Sequence, residues 1–183
     1  LIFPVPQQTS LINVILLAAG GFFMFVCMDS TAKYLGTVMP VTQGVWGRFF
    51  FHLISLLIFF LIFKPKVNLK KNFKIQIIRS LLMVTATFFM FHSLQKFDML
   101  DIYVVFFTAP LIVSLLSAYF LKDVLTLKGI ILMLLSFLSI IYSVGPSMKI
   151  LSTNLIYPMI PPICWALYQF FTKVVSNDNE PFA

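Results

Sequence analysis

Charge is what this chain has least of. Of its 183 residues only 10% are Asp, Glu, Lys or Arg, against 60% hydrophobic, with 22 Phe and a mean hydropathy of +1.00. A soluble domain needs about a quarter of its residues charged to clothe its surface, so a water-facing fold is excluded. Cysteine is nearly absent as well: Cys27 and Cys164 stand far apart without CxxC spacing, which argues against a disulfide framework or a zinc ribbon. Gly-rich phosphate loops, HExxH pairs and nucleophile elbows are missing, so neither a cofactor nor a metal is expected. The opening "LIFPVPQQTS" has no basic n-region, so no cleavable signal peptide is expected; starting with Leu, the sequence reads as a piece of a longer protein.

What is present comes in apolar blocks of roughly 20 residues, the length that crosses a ~30 Å hydrocarbon core as a helix. The blocks predict six spans, at about 11–36, 41–63, 75–94, 101–121, 125–144 and 155–173. Transmembrane β-strands would alternate apolar and polar over ~10 residues. Runs such as "HLISLLIFFLIF" do not alternate, so the fold class is an all-α integral membrane protein.

Six of the 13 basic residues lie in the stretch "KPKVNLKKNFKIQIIR": Lys64, Lys66, Lys70, Lys71 and Lys74 between spans two and three, and Arg79 early in span three. Basic loops stay in the cytoplasm, which places this loop and, by alternation, the N-terminus inside. A nucleic-acid partner is the other reading of a basic run. It is set aside, because eleven residues between two spans leave no room for such an interface.

Ionisable residues within the spans are the candidate functional groups. At ~1.5 Å per residue, Asp29 lies ~22 Å above the cytoplasmic start of its span, Arg48 ~21 Å and His92 ~24 Å, one shared layer in a ~30 Å core. His52 lies one turn deeper than Arg48 on the same face, near the midplane. A lone charge there costs at least ~2.5–3.5 kcal/mol, so such groups face the interior and pair. Asp29 with Arg48 is the expected pair, either as a lock between two helices or as the grip on a substrate. Lys33, at ~28 Å, reads as an interfacial anchor or as a further binding group. For His92 an interfacial contact competes with a ligand role, and for His52 a hydrogen bond to a carbonyl does. Arg79, Lys122 and Lys128 read as snorkelling cations, and Asp98 and Asp101 as caps of the fourth span. Pro110, Pro158, Pro161 and Pro162 predict kinks. Trp46, Phe49, Phe106, Trp165 and Tyr168 are candidates for stacking a planar or cationic substrate.

The start of the sixth block, "ICWALYQFFTKVVSNDNEP", repeats the pattern of "FMFVCMDSTAKYLGTVMP": an apolar helix, a Lys near its end, then a Pro. "MDSTAKYLG", "QGVWGRFFFH" and the stretch from "IRSLLMVTATFF" to "IIYSVGP" resemble the EamA-type members of the drug/metabolite transporter superfamily. The likeness rests on the order Lys33, Arg48, Arg79, Asp101, Pro110-Leu111, Asp123, Gly129 and Gly145-Pro146, with Asp123 where the family more often has Glu. The resemblance implies one five-helix repeat over 11–146 and the first helix of a second, incomplete repeat over 155–183, out of ten helices. It also implies a secondary transporter of a small organic metabolite, amino-acid-like or nucleoside-like, in a bacterial inner membrane. A coupling proton, the lipid bilayer, and a second repeat or second copy of the chain would be its partners. The competing classes are a non-transporting helical scaffold, which needs no polar layer, and an intramembrane enzyme, which needs a nucleophile with its base or three metal ligands at one depth.

The orientation is testable from sequence alone. In a Cys-free version carrying Asn68→Cys, the new thiol should resist a membrane-impermeant reagent in intact cells, and labelling there would invert every span.

Overall fold

The computed structural model describes residues 11–64, 73–121, 127–144 and 156–178. These form seven helices: α1 (Leu11–Leu35), α2 (Val41–Phe63), α3 (Phe73–Lys96), α4 (Met99–Phe106), α5 (Ala109–Leu121), α6 (Leu127–Val144) and α7 (Ile156–Asp178). No strand occurs among the described residues. Four segments are long and apolar enough to cross a membrane: Ile12–Leu35, Val41–Phe63, Phe73–Lys96 and Met99–Phe120; α6 adds a shorter apolar stretch, Leu127–Ser139. Lys66, Lys70, Lys71, Lys122, Asp123, Gly145 and Pro146 lie outside the described residues.

The fourth span is two helices rather than one. Pro110 has no N–H to give the Phe106 carbonyl, and the ladder breaks there. Phe107 and Thr108 close α4 by donating to the carbonyls of Tyr103 (2.9 Å) and Val105 (3.1 Å), and Ile112 donates to Thr108 (3.1 Å) to restart the helix. The Thr108 hydroxyl donates to the Val105 carbonyl at 2.7 Å. Non-helical backbone at this depth is tolerated where protein covers it and its polar groups find partners.

Eight hydroxyls elsewhere are satisfied within their own helix, whereas the buried Ser93 Oγ has no partner among the described residues. Ser30, Thr31, Ser55, Ser80, Thr85, Ser136, Ser139 and Thr172 each donate to the carbonyl four residues earlier at 2.7–2.9 Å, so an apolar span carries them without a neighbour's help. At the end of α2, Lys64 takes a left-handed conformation (φ 42°) and its N–H caps the Phe60 carbonyl.

The core sits at the end of the bundle that carries the α1–α2 and α3–α4 connections. Val45, Met90, Phe91, Leu94 and Ile102 are buried there against Ala32, Val41, Phe49, Phe88, Phe97, Met99, Tyr103 and Phe106. Away from that end, α1 over Ile12–Val26 and α2 over Phe50–Phe63 are exposed. Helix α3 packs most extensively on α7, whose Pro158, Pro161 and Pro162 are fully buried, as is Ser93 of α3. Small or ring-closed residues let two backbones approach closely, the main source of helix affinity in lipid.

Close packing also fixes the α1–α2 corner. A Cβ at Gly36 would lie 2.6 Å from Gln95 Cγ and 2.9 Å from its Nε2, and Gln95 donates to the Met39 carbonyl at 3.3 Å. Gly36→Ala should therefore cost about 1–3 kcal/mol, the usual range for overpacking. Adding Gln95→Ala should return most of the loss. Thermal unfolding of the two single variants and the double variant checks this; additive losses would show that the two residues do not clash.

Candidate functional site

Asp29 is the buried residue of α1, at 5% exposure. Its Oδ2 accepts a hydrogen bond from the Tyr103 hydroxyl of α4 at 2.8 Å. Arg48, half-buried on α2, holds its guanidinium carbon 5.8 Å from the centre of the Phe91 ring of α3, a cation–π distance. Asp29 and Arg48 carry opposite charges on α1 and α2. No hydrogen-bonded ion pair joins them, which corrects the direct pairing expected from sequence. Each charge is held by an aromatic side chain instead, because α4 brings Tyr103 against α1 and α3 brings Phe91 against α2.

Lys33 ties α1 to the end of α3. Its Nζ donates to the Phe97 carbonyl at 2.9 Å, filling one of the acceptors left open where α3 ends. The layer expected to contain His92 also divides. His92 is half-buried and stacks on Phe88 (centroids 6.3 Å) and against Tyr157 of α7 (5.0 Å), with Lys96 over the far side of that cluster, 5.1 Å from the Tyr157 ring. His52 is exposed on α2.

The aromatic candidates separate in the same way. Trp46 is 65% exposed and stacks on its own helix neighbour Phe50 at 4.8 Å. Trp165 of α7 is half-buried at a junction of helices, with Phe25 of α1 at 5.9 Å, Phe106 of α4 at 6.1 Å and Tyr168 at 5.5 Å. Asp98 stands at the cap position of α4 without the side-chain capping bond that its position suggested, and Asp101 is buried in the first turn at 6% exposure. Cys27 and Cys164 are free thiols. Among the described residues no three His, Cys, Asp or Glu side chains gather as a metal would require.

Two contributors escaped sequence reading. Tyr103 was hidden in the apolar run "DIYVVFF"; its signal was the phenol itself, which needs a hydrogen-bond partner once buried. Phe91 carried no signal, being one Phe among 22.

The Asp29–Tyr103 bond generates a prediction. A hydrogen bond to a charged group is worth ~1.5–3 kcal/mol in soluble cores, but interhelical bonds in bilayers average ~0.6 and reach ~1.7 kcal/mol. The second figure governs here, because an unfolded chain left in lipid also finds partners. Tyr103→Phe should thus lower stability modestly, and an Asp29→Ala/Tyr103→Phe double-mutant cycle, in which each change removes the bond, should show a coupling of ~0.6–1.7 kcal/mol. Zero coupling in that cycle would show that the bond does not hold α1 to α4.

Neither a curated protein nor a solved structure matches the chain. The model of the EamA-like transporter family matches residues 12–145, a stretch that contains Asp29, Arg48, Tyr103, all of α1 but Leu11, and helices α2 to α6 whole. That match covers well over half of the 183 residues, and the chain belongs to the EamA-like transporter family.

Proposed function

We propose that the chain forms the first repeat of a secondary transporter, over 11–146, with the opening helix of a second repeat over 155–183. In this reading it moves a small zwitterionic or anionic metabolite, amino-acid-like or nucleoside-like, by alternating access. The membrane is a bacterial inner membrane and the N-terminus is cytoplasmic. The other wall of the cavity belongs to a second repeat or a second copy of the chain, since transporters commonly place the substrate between two repeats.

One observation carries the substrate class. A carboxylate on α1 accepts a hydrogen bond from the Tyr103 hydroxyl and a guanidinium on α2 lies over the Phe91 ring, with no ion pair between the two. A structural salt bridge would close to contact, because leaving either charge without a partner in low dielectric is costly. Opposite charges held apart are complementary to a molecule with an ammonium and a carboxylate: Asp29 receives the first and Arg48 the second. If transport is proton-coupled, Asp29 is better placed to carry the proton than the expected histidines, because His52 is exposed and His92 is stacked in an aromatic cluster.

Ligand stabilisation in lipid nanodiscs tests this reading. A zwitterion present at 100 times its Kd should stabilise the wild-type fold by ~2.7 kcal/mol. Asp29→Asn/Arg48→Gln should fold yet lose that stabilisation, while neutral analogues stabilise neither protein. A double variant that still responds would make the two groups structural only and move the site to His52, His92 and the aromatics.

A further inference from the structure

Arg79 lies six residues into α3, ~9 Å along the helix, where sequence suggested an interfacial cation reaching for water. The side chain does otherwise. Its Nη1 donates to Gln76 Oε1 at 2.8 Å, its guanidinium carbon sits 5.3 Å from the centre of the Tyr168 ring of α7, and its Nε is closed to solvent with no acceptor. Among the described residues no acidic side chain comes within ion-pair distance of it.

With Nη1 occupied by Gln76, the edge that remains is the one formed by Nε and Nη2. Two parallel N–H groups on that edge match the two oxygens of a carboxylate. A snorkelling arginine would present this edge to headgroups; here it is turned onto a ring of the facing helix. Tyr168 in turn adjoins Trp165 at 5.5 Å, and Trp165 meets Phe25 and Phe106. Phe91, which holds Arg48, stands twelve residues further along α3, ~18 Å by helix rise. The bundle thus carries one guanidinium lying over α3 and one projecting from α3 onto α7, with an aromatic cluster on the neighbouring helices.

We propose that the unpaired Nε–Nη2 edge of Arg79, closed in this conformation and opened as access alternates, forms with the Tyr168–Trp165 pair a second binding station for the carboxylate of a substrate that carries a planar ring. The proposal rests on the transporter reading above and narrows it. The carboxylate passes from Arg48 to Arg79 as access alternates, and the ring slides along Phe106, Trp165 and Tyr168. Arg79 supplies two N–H donors and a charge, Gln76 fixes the rotation of the guanidinium, and Tyr168 holds it in the bundle by its π face.

Quenching of tryptophan fluorescence tests the station on this chain in nanodiscs, with 4-nitrobenzoate as the probe and 4-nitrobenzamide as its neutral counterpart. The acid should quench saturably, at least tenfold more tightly than the amide, and Trp165→Phe should abolish the saturable part. Arg79→Gln should raise the half-saturation concentration tenfold or more. Arg79→Lys, which keeps the charge without the fork, should fall between. Equal quenching by acid and amide, or an Arg79→Gln curve that overlays wild type, overturns the proposal. Should Arg79→Gln fail to fold, Arg79→Lys decides, and a wild-type curve there overturns it equally. Loss of binding in Arg48→Gln with none in Arg79→Gln would remove the second station and leave the Asp29–Arg48 reading standing.

Discussion

The hydrogen bond from Tyr103 to Asp29 is the contact on which the position of α1 depends. A carboxylate in hydrocarbon must find a donor or be driven out, and Asp29 is the side chain of this helix that is fully covered. The apolar residues of α1 over Ile12–Val26 are exposed. In water that would be a large loss. In lipid, burying them against another helix gains little, because acyl chains are as apolar as leucine. Directional contacts therefore hold the helix: Asp29 to Tyr103, Lys33 to the Phe97 carbonyl, Ser30 toward the Met99 sulfur at 3.7 Å, and Phe25 against Trp165.

Helix α3 is the common support. Its Phe91 holds Arg48 of α2, its C-terminal turn is tied to α1 through Lys33, and His92 and Arg79 both meet tyrosines of α7. The close α3–α7 seam follows from the buried prolines at the start of α7 and the small Ser93 opposite. Prolines leave carbonyls without their usual donors, and burial of that segment in protein is how a membrane helix carries them. The α3–α7 seam is thus the most extensive helix contact, while α1 and α2 are exposed along much of their length.

Such a division suits a transporter. Contacts worth ~1 kcal/mol each in lipid break and reform readily, whereas a tightly closed ion pair would lock one state. The break between α4 and α5 adds a second point of motion, since Phe107 and Thr108 already sit outside a continuous helical ladder. Tyr103 lies one turn before this break, so movement of α4 about it bears directly on the bond to Asp29.

By itself the sequence determined the solvent, the helical class, the approximate ends of five spans and the family, because each of these follows from hydropathy, charge placement or the order of motif residues along the chain. It also identified Asp29 and Arg48 as anomalous, since a charge inside an apolar block is visible without any structure. Only the tertiary structure decided what those charges touch. Depth counted along a helix says nothing of azimuth, so Asp29, Arg48 and His92 fell in one layer by rise yet face different neighbours: Tyr103, Phe91 and Tyr157. Counting likewise assigned Arg79 to the interface, whereas the packing of α7 on α3 turns it onto Tyr168. Pro110 signalled a disturbance in the fourth span, but whether that meant a kink or two helices depended on where the Phe106 carbonyl and its neighbours found partners, which is a property of the folded backbone.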